Sequence, residues 1–167
     1  MSDYTAFLHQ KSQMGSDHLL DFPGNIIRLH AYLAGSYSHR AEIEARAVQL
    51  RALGHWVTST WSDGHHEARP GIDHSGTADE RAGWAAEDLA DIARADVLVY
   101  CADLGSSSRG GAHVEAGYAL GLGKRLIVLG DTGGNVFYHL PEVFRFEDWG
   151  AFLTELALST AERRLVG

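Results

Sequence analysis

The stretch that decides the fold is Asp96-Val-Leu-Val-Tyr-Cys101, followed after a serine-rich turn by Arg109-Gly-Gly-Ala-His-Val-Glu-Ala-Gly-Tyr-Ala-Leu-Gly-Leu-Gly-Lys124. The first run is apolar and typical of a buried strand, and the second predicts a helix over residues 111–122. A strand, a glycine-rich turn and a helix form the repeating unit of parallel α/β sheets. We therefore expect an α/β protein.

The same alternation extends in both directions along the chain. It predicts strands at 26–33, 55–61, 96–101, 125–129 and 143–146. It also predicts helices from Ser38, as the cap, to about Leu53, over residues 78–94 with Leu89, Ile92 and Ala93 facing inward, and from Trp149 to about Arg164. Right-handed crossovers then give a three-layer fold with a mostly parallel five-stranded sheet. Residues 1–24 lack periodicity and are expected to form an N-terminal tail or arm, which leaves 25–167 as a single domain.

The composition indicates which kinds of partner the protein binds and in which cellular compartment it works. The 167 residues carry 14 basic and 22 acidic side chains, a net charge of −8, which argues against binding to a nucleic acid polymer. The single cysteine, Cys101, is expected to be a buried, inert thiol and suits a reducing compartment. Since no leader or long apolar span is visible, we expect a cytoplasmic protein without a membrane partner.

Glu115 is the first candidate functional residue. It lies in the first turns of its helix, where the helix dipole favours a charged carboxylate, so we expect it to be ionised. Gly110 and Gly111 allow the backbone to approach a ligand closely. An ionised carboxylate here can attack an electrophilic carbon or bind a ligand hydroxyl, with a solvated helix glutamate as the common alternative.

Asp88 is the second candidate carboxylate. Helical spacing places it on the side of Trp84, four residues earlier. A carboxylate beside an indole suits a ligand that has both a sugar and a flat base. The neighbouring Glu87 and Asp91 fit a solvated acidic face, and the pattern alone favours that simpler interpretation.

Two turns at the carboxyl ends of predicted strands have the composition of anion sites. Gly35 and Ser36, followed by Arg40, lead into a helix whose free backbone amides attract anions. The second turn supplies three further candidates for substrate binding: Ser107, Ser108 and Arg109. Simple polar caps and a flexible loop explain the same residues.

A long loop over residues 62–77 is expected to recognise the ligand, because long ordered loops in compact domains are usually functional. Its histidines invite a metal interpretation. However, His65, His66 and His74, with Asp63 and Asp73, match no established zinc spacing. We therefore expect no metal site.

Several segments together resemble the nucleoside 2-deoxyribosyltransferase superfamily. They are Tyr32-Leu-Ala-Gly-Ser36, Asp88-Leu-Ala-Asp-Ile-Ala-Arg-Ala-Asp96, Glu115-Ala-Gly-Tyr-Ala-Leu-Gly-Leu-Gly-Lys124 and the apolar strand that follows. The superfamily includes base-exchanging transferases and 2′-deoxynucleoside 5′-monophosphate N-hydrolases, and the resemblance covers roughly residues 26–150. It implies a flavodoxin/Rossmann-like sheet order and a homodimer or higher homo-oligomer whose neighbouring subunits complete each site.

The resemblance also implies roles for individual residues. Glu115 matches the nucleophile that attacks C1′ of the sugar, and Asp88 matches the aspartate that positions the sugar or protonates the leaving base. Tyr32 matches an aromatic residue near the nucleophile. Apart from these matches, Trp84, Trp61 or Tyr37 is a candidate to stack on the base, and Asn135 is a candidate to reach a neighbouring subunit's pocket.

One departure from the transferases bears on the reaction. Six residues before the nucleophile, the transferases carry an aspartate and the hydrolases a serine that contacts phosphate, whereas this chain has Arg109. An arginine after three serines suits a phosphate, and the Gly35-Ser36 turn resembles the phosphate loop of the hydrolases. Gly110-Gly111-x-x-x-Glu115 also resembles the motif of the phosphoribohydrolases that release cytokinin bases, without its proline and threonine.

We therefore expect cleavage of the N-glycosidic bond of a (deoxy)nucleoside 5′-monophosphate or nucleoside through a covalent glycosyl-Glu115 intermediate released to water. Base exchange through the same intermediate is the first alternative, and a non-catalytic nucleotide sensor is the second. No cofactor is expected, because the electrophile lies in the substrate and the leaving base needs only a proton.

Overall fold

The computed structural model describes residues 28–64, 76–105 and 110–166, with side chains through residue 159. Its strands are β1 (His30–Ala34), β2 (Trp56–Val57), β3 (Val97–Cys101), β4 (Arg125–Leu129) and β5 (Val143–Phe146). They form one sheet in the order β2-β1-β3-β4-β5, in which every neighbouring pair is parallel. This is the strand order of flavodoxin-like doubly wound folds, so the expected α/β architecture is confirmed.

Within the described residues, four α-helices connect and cover the strands. They are α1 (Arg40–Ala52), α2 (Ala78–Arg94), α3 (Gly111–Gly121) and α4 (Trp149–Val166). Helices α2 and α3 pack against each other and both contact β1, so they cover the same face of the sheet. Across the three described ranges, we find no helix that combines the length and apolarity needed to span a bilayer.

The core follows from the apolar strands and one stripe of each helix. All five residues of β3 are buried, as are Leu126–Leu129 of β4. Helix α1 buries Ile43, Ala47 and Leu50 on one face, as their spacing predicted. Cys101 is buried, as expected, and burial raises the pKa of its thiol to about 11.

Strand β2 is shorter than the predicted run over 55–61. Beyond Thr58, whose amide still donates to the Ala31 carbonyl, side chains replace the backbone ladder along β1. The Leu33 amide donates to Ser59 Oγ (3.3 Å), and Trp61 Nε1 donates to the Leu33 carbonyl (2.9 Å). The backbone after Thr58 therefore leaves the sheet and forms the 3₁₀ turn Trp61–Asp63.

Two local expectations on helix ends and faces were wrong. Ser36, rather than Ser38, supplies the cap: its Oγ accepts from the Ser38 amide and begins the 3₁₀ turn Tyr37–His39 ahead of α1. Ala93 is exposed, whereas Asp91 and Ile92 are buried and Leu89 is partly buried at that end of α2.

Candidate active site

The candidate site lies at the carboxyl ends of β1 and β3. In the sheet, β1 lies between β2 and β3. The chain first crosses from β1 to β2 on one side and then returns to β3 on the other, so the strand order reverses at β1. Crevices at such switch points are the usual ligand sites of open α/β sheets. Tyr32 of β1 faces the helices that cover this side, α2 and α3.

A hydrogen bond joins β1 to α3 beside this switch point. The Tyr32 hydroxyl donates to Glu115 Oε1 at 3.1 Å, and the tyrosine side chain is completely buried. The second oxygen, Glu115 Oε2, is also buried and has no hydrogen-bond partner among the described residues. The site therefore holds a carboxylate fixed through one oxygen and available through the other.

The structure corrects the expectation that Glu115 is ionised by the helix dipole. Burial, together with the negative charge of Asp88, raises the pKa of Glu115 from its ordinary 4.5 to about 8, against the opposing effect of the Tyr32 hydrogen bond. Glu115 is the fifth residue of α3 and lies beyond the first turn, where the dipole is most effective. Desolvation therefore outweighs the dipole, and the Glu115 carboxyl holds its proton at pH 7.

Asp88 is close enough to act on both partners of this hydrogen bond. Its charge raises the pKa of Glu115, and it also contributes to raising that of Tyr32, for which burial is the main cause. Tyr32 thus stays a hydrogen-bond donor. The three residues expected to be catalytic come from β1, α2 and α3 and are brought together at one point.

Trp84 lies one turn before Asp88 on α2 and is partly buried. It covers the backbone of Gly76, where a Cβ would lie only 2.6 Å from its Cη2 atom. Trp84 therefore packs on Gly76, which directly precedes the Thr77 cap of α2, and its role in stacking on a base stays a prediction.

The first expected anion turn follows β1 directly. A Cβ at Gly35 would lie 2.5 Å from Ile43 Cδ1, so a glycine lets this turn pack on α1. Ser36 Oγ and Ser38 Oγ are 2.8 Å apart, which keeps both hydroxyls within the turn. The Arg40 guanidinium lies 5.6 Å from the centre of the Tyr37 ring.

The second expected anion turn is described only at its end. Gly110 precedes α3 with φ of +94°, a conformation that favours glycine, and Gly111 begins the helix. The remaining candidates of this turn lie outside the described residues: Ser107, Ser108 and Arg109. The same holds for the three loop histidines and Asp73. Within the described ranges, no group of three or more histidine, cysteine, aspartate or glutamate side chains is placed to hold a metal ion.

Asn135 lies apart from these residues, after β4. Its side-chain oxygen accepts from the Phe137 amide at 3.1 Å and caps the 3₁₀ turn Val136–His139. In the sheet, β4 is separated from β1 by β3. Its reach into a neighbouring subunit stays a prediction.

The burial of two charged side chains was missed. Asp91, assigned to a solvated acidic face, is 2% exposed. Arg46 forms a two-point ion pair with Asp103, the second residue after β3, at 2.7 and 2.6 Å. A signal existed for both: Asp91 precedes the inward-facing Ile92, and Arg46 falls on the apolar stripe of α1, where a charge must find a partner.

An aromatic cluster lies beside Glu115 on α3. His113 Nδ1 and the Tyr138 hydroxyl are 2.5 Å apart, and both rings pack on Tyr100 of β3. Burial, and to a smaller extent the charges of Cys101 and Glu115, raise the pKa of Tyr100. The cluster fixes the segment after β4 against α3.

The comparisons with known proteins rest on structure. No protein-family model matches the chain, and no curated protein matches its sequence. The solved 2-deoxyribosyltransferase of Bacillus psychrosaccharolyticus is similar, with a TM-score of 0.51 and 23% identity over 72% of this chain and 88% of that one. The chain has the fold of a 2-deoxyribosyltransferase.

A second solved structure, the CMP N-glycosidase of Clostridium botulinum, matches with a TM-score of 0.47 and 18% identity over 78% of this chain and 98% of that one. The 2-deoxyribosyltransferase fold is the one that the sequence resemblance implied, so the resemblance is confirmed at the level of the fold.

Proposed function

We propose that the chain cleaves the N-glycosidic bond of a (deoxy)nucleoside 5′-monophosphate or nucleoside, with Glu115 as the nucleophile. The supporting observation is the convergence of Tyr32, Asp88 and Glu115 at the switch point of the sheet. A buried carboxylate that is oriented through one oxygen and unpaired at the other is suited to attack a carbon held above it.

The reaction is a double displacement. Glu115 Oε2 forms a bond to C1′ while the bond from C1′ to the base nitrogen breaks, and the electron pair leaves with the base. Water then attacks C1′ of the glycosyl ester, releases the Glu115 carboxylate and gives net retention. Tyr32 keeps the carboxylate oriented throughout.

The departing base needs a proton, and Glu115, whose pKa is raised, holds one at neutral pH. At neutral pH Glu115 and Asp88 share one proton, because two negative charges so close together would repel each other. When the proton moves from Glu115 to Asp88, Glu115 becomes the nucleophile and Asp88 the acid that protonates the departing base. Asp88 then accepts a proton from the attacking water, and the pair returns to its first state.

Base exchange is the second candidate function. The similar solved protein from Bacillus psychrosaccharolyticus is a 2-deoxyribosyltransferase, which favours exchange. Arg109 and the serines before it favour a substrate with a 5′-phosphate and therefore hydrolysis. Both reactions pass through the glycosyl ester on Glu115. The second step decides the product, because water gives hydrolysis and a second base gives exchange.

We also propose a homodimer or larger homo-oligomer. Val114 and Tyr118 on α3, with Leu122 directly after it, recur every four residues and are exposed, which gives α3 an apolar outer stripe. Light scattering on the purified protein measures the mass in solution.

The decisive experiment incubates the protein with a panel of nucleosides and their 5′-monophosphates and measures free base. A second base in the same reaction distinguishes exchange from hydrolysis. Glu115→Gln keeps the size of the side chain and is expected to lower turnover by several orders of magnitude, whereas Glu147→Gln, at an exposed position, is the matched control. Arg109→Ala is expected to impair 5′-monophosphates more than nucleosides.

Each alternative has its own outcome in this experiment. Binding of nucleotides without any release of base would support the sensor. Full turnover in folded Glu115→Gln would exclude Glu115 as the nucleophile, and equal losses on both substrate classes would exclude the phosphate role of Arg109.

A further inference from the structure

Asp91 is a buried carboxylate for which the reaction described above has no use. It lies three residues after Asp88 on α2, which places both side chains on one side of the helix. Its residue is 2% exposed, although aspartate is rarely buried unless its oxygens are paired.

Both Asp91 oxygens are paired, and one of them holds a different segment. Oδ2 accepts from the Thr60 amide at 2.9 Å and from the Thr60 hydroxyl at 2.8 Å. Oδ1 accepts from Arg94, whose side chain is 62% exposed. Asp91 therefore ties Thr60 to α2, and Arg94 balances its charge at the surface.

Thr60 belongs to the segment Thr58–Gly64, which we call the β2 wall. On one side this wall is fixed to β1: the Thr58 amide donates to the Ala31 carbonyl at 2.9 Å, and Ser59 and Trp61 bind the backbone of Leu33. Leu33 directly follows Tyr32. On the other side, Thr60 is the point at which Asp91 holds the wall to α2.

We propose that Asp91 is a positioning residue that holds the β2 wall at a fixed distance from α2, the helix that carries Asp88, and thereby sets the affinity for substrate. The tether joins Thr60, whose neighbours Ser59 and Trp61 bind the backbone of Leu33 on β1, to the part of α2 that lies one turn after Asp88. The inference rests on the proposed function.

The tether is expected to affect binding more than chemistry. If it is lost, the substrate must order the wall when it binds, which costs affinity. The hydrogen bond between Tyr32 and Glu115 does not involve the wall, so the reacting carboxylate keeps its orientation. A rise in KM with kcat nearly unchanged is the signature of such a loss.

The test uses Thr60→Val, which keeps the shape of the side chain and removes only the hydroxyl, together with Asp91→Asn and the double variant. With a substrate that the wild-type protein cleaves, we expect Asp91→Asn to raise KM roughly tenfold and Thr60→Val roughly threefold, with kcat within about twofold. The double variant is expected to resemble Asp91→Asn, since the Thr60 hydroxyl acts only through Asp91.

Two further variants separate the tether from the charge. Arg94→Gln leaves both hydrogen bonds of Thr60 in place, and Asp79→Asn removes an exposed negative charge from the same helix. Both are expected to keep KM within about twofold. If Arg94→Gln reproduces the effect of Asp91→Asn, or if the effects of the Thr60 and Asp91 variants add, the tether is not the cause.

Hydrogen exchange of the Thr60 amide tests the tether without any activity. The amide is expected to be protected in the wild-type protein and to exchange at least about tenfold faster in Asp91→Asn. Faster exchange with unchanged KM in Asp91→Asn would overturn the proposal. If no panel member is cleaved, the proposed function fails instead, and calorimetric Kd values for the same nucleotides then replace KM.

Discussion

Replacing Glu115 by glutamine is expected to stabilise the protein at alkaline pH while it abolishes turnover. The pKa of this carboxyl is raised from 4.5 to about 8 by burial and by Asp88. The folded state therefore keeps the proton to a higher pH than the unfolded chain does. In the window between these two values the wild-type protein loses stability as the pH rises, and the glutamine variant, which has no proton to lose, does not.

The structure sets the size of this effect. A pKa difference of about 3.5, at 1.36 kcal/mol for each pH unit, gives about 5 kcal/mol at high pH, of which about 4 kcal/mol develops between pH 5 and pH 9. For a domain of this size, 1 kcal/mol moves Tm by about 2–4 °C. The difference in Tm between Glu115→Gln and the wild-type protein should thus be about 8–16 °C larger, in favour of the variant, at pH 9 than at pH 5.

Thermal unfolding followed by circular dichroism at pH 5, 7 and 9 measures the difference directly. Other titrating groups are shared by the two proteins and largely cancel. Glu147→Gln, at an exposed carboxylate, is the control and should show a difference from wild type that hardly changes with pH. If the difference in Tm between the wild-type protein and Glu115→Gln is the same at pH 5, 7 and 9, burial does not keep Glu115 protonated.

Three other substitutions address the same site and its support. Tyr32→Phe removes the hydroxyl that favours the ionised form of Glu115, so the pKa of Glu115 should rise further and kcat/KM at pH 7 should fall about tenfold or more, as a pH–rate profile would show. Asp88→Asn removes both the acid and the neighbouring charge, so kcat should fall about 100-fold, and the fall of kcat/KM above about pH 8, where the wild-type pair loses its one proton, should be absent. Arg46→Met leaves Asp103 buried without its cationic partner and should cost about 3–5 kcal/mol in urea unfolding.

The elements with strong local signals were predictable from the sequence. The bounds of α2, β4 and β5 agree with the predicted ones because each begins or ends at a clear change in pattern. At the start of α2, the Thr77 hydroxyl accepts from the Glu80 amide, and the Glu80 carboxylate accepts from the Thr77 amide. Such signals act within a few residues and need no tertiary contact.

The properties that were missed depend on contacts between distant segments. The end of β2 is determined by Ser59 and Trp61, whose side chains bind the backbone of β1, and no local pattern reports this. The protonation of Glu115 likewise depends on burial and on a carboxylate from another helix. Its chemical role was inferred from the segments that resemble a known superfamily, and the fold that those segments implied is confirmed.

The brevity of β2 has a consequence for how the protein behaves when it is concentrated. A sheet that ends in a long, flat edge strand exposes unpaired backbone groups on which strands of other molecules can assemble. Here that rim is two residues long, and the chain beyond it turns away toward α2. This side of the sheet therefore offers little template for intermolecular β-pairing, which should limit aggregation through it.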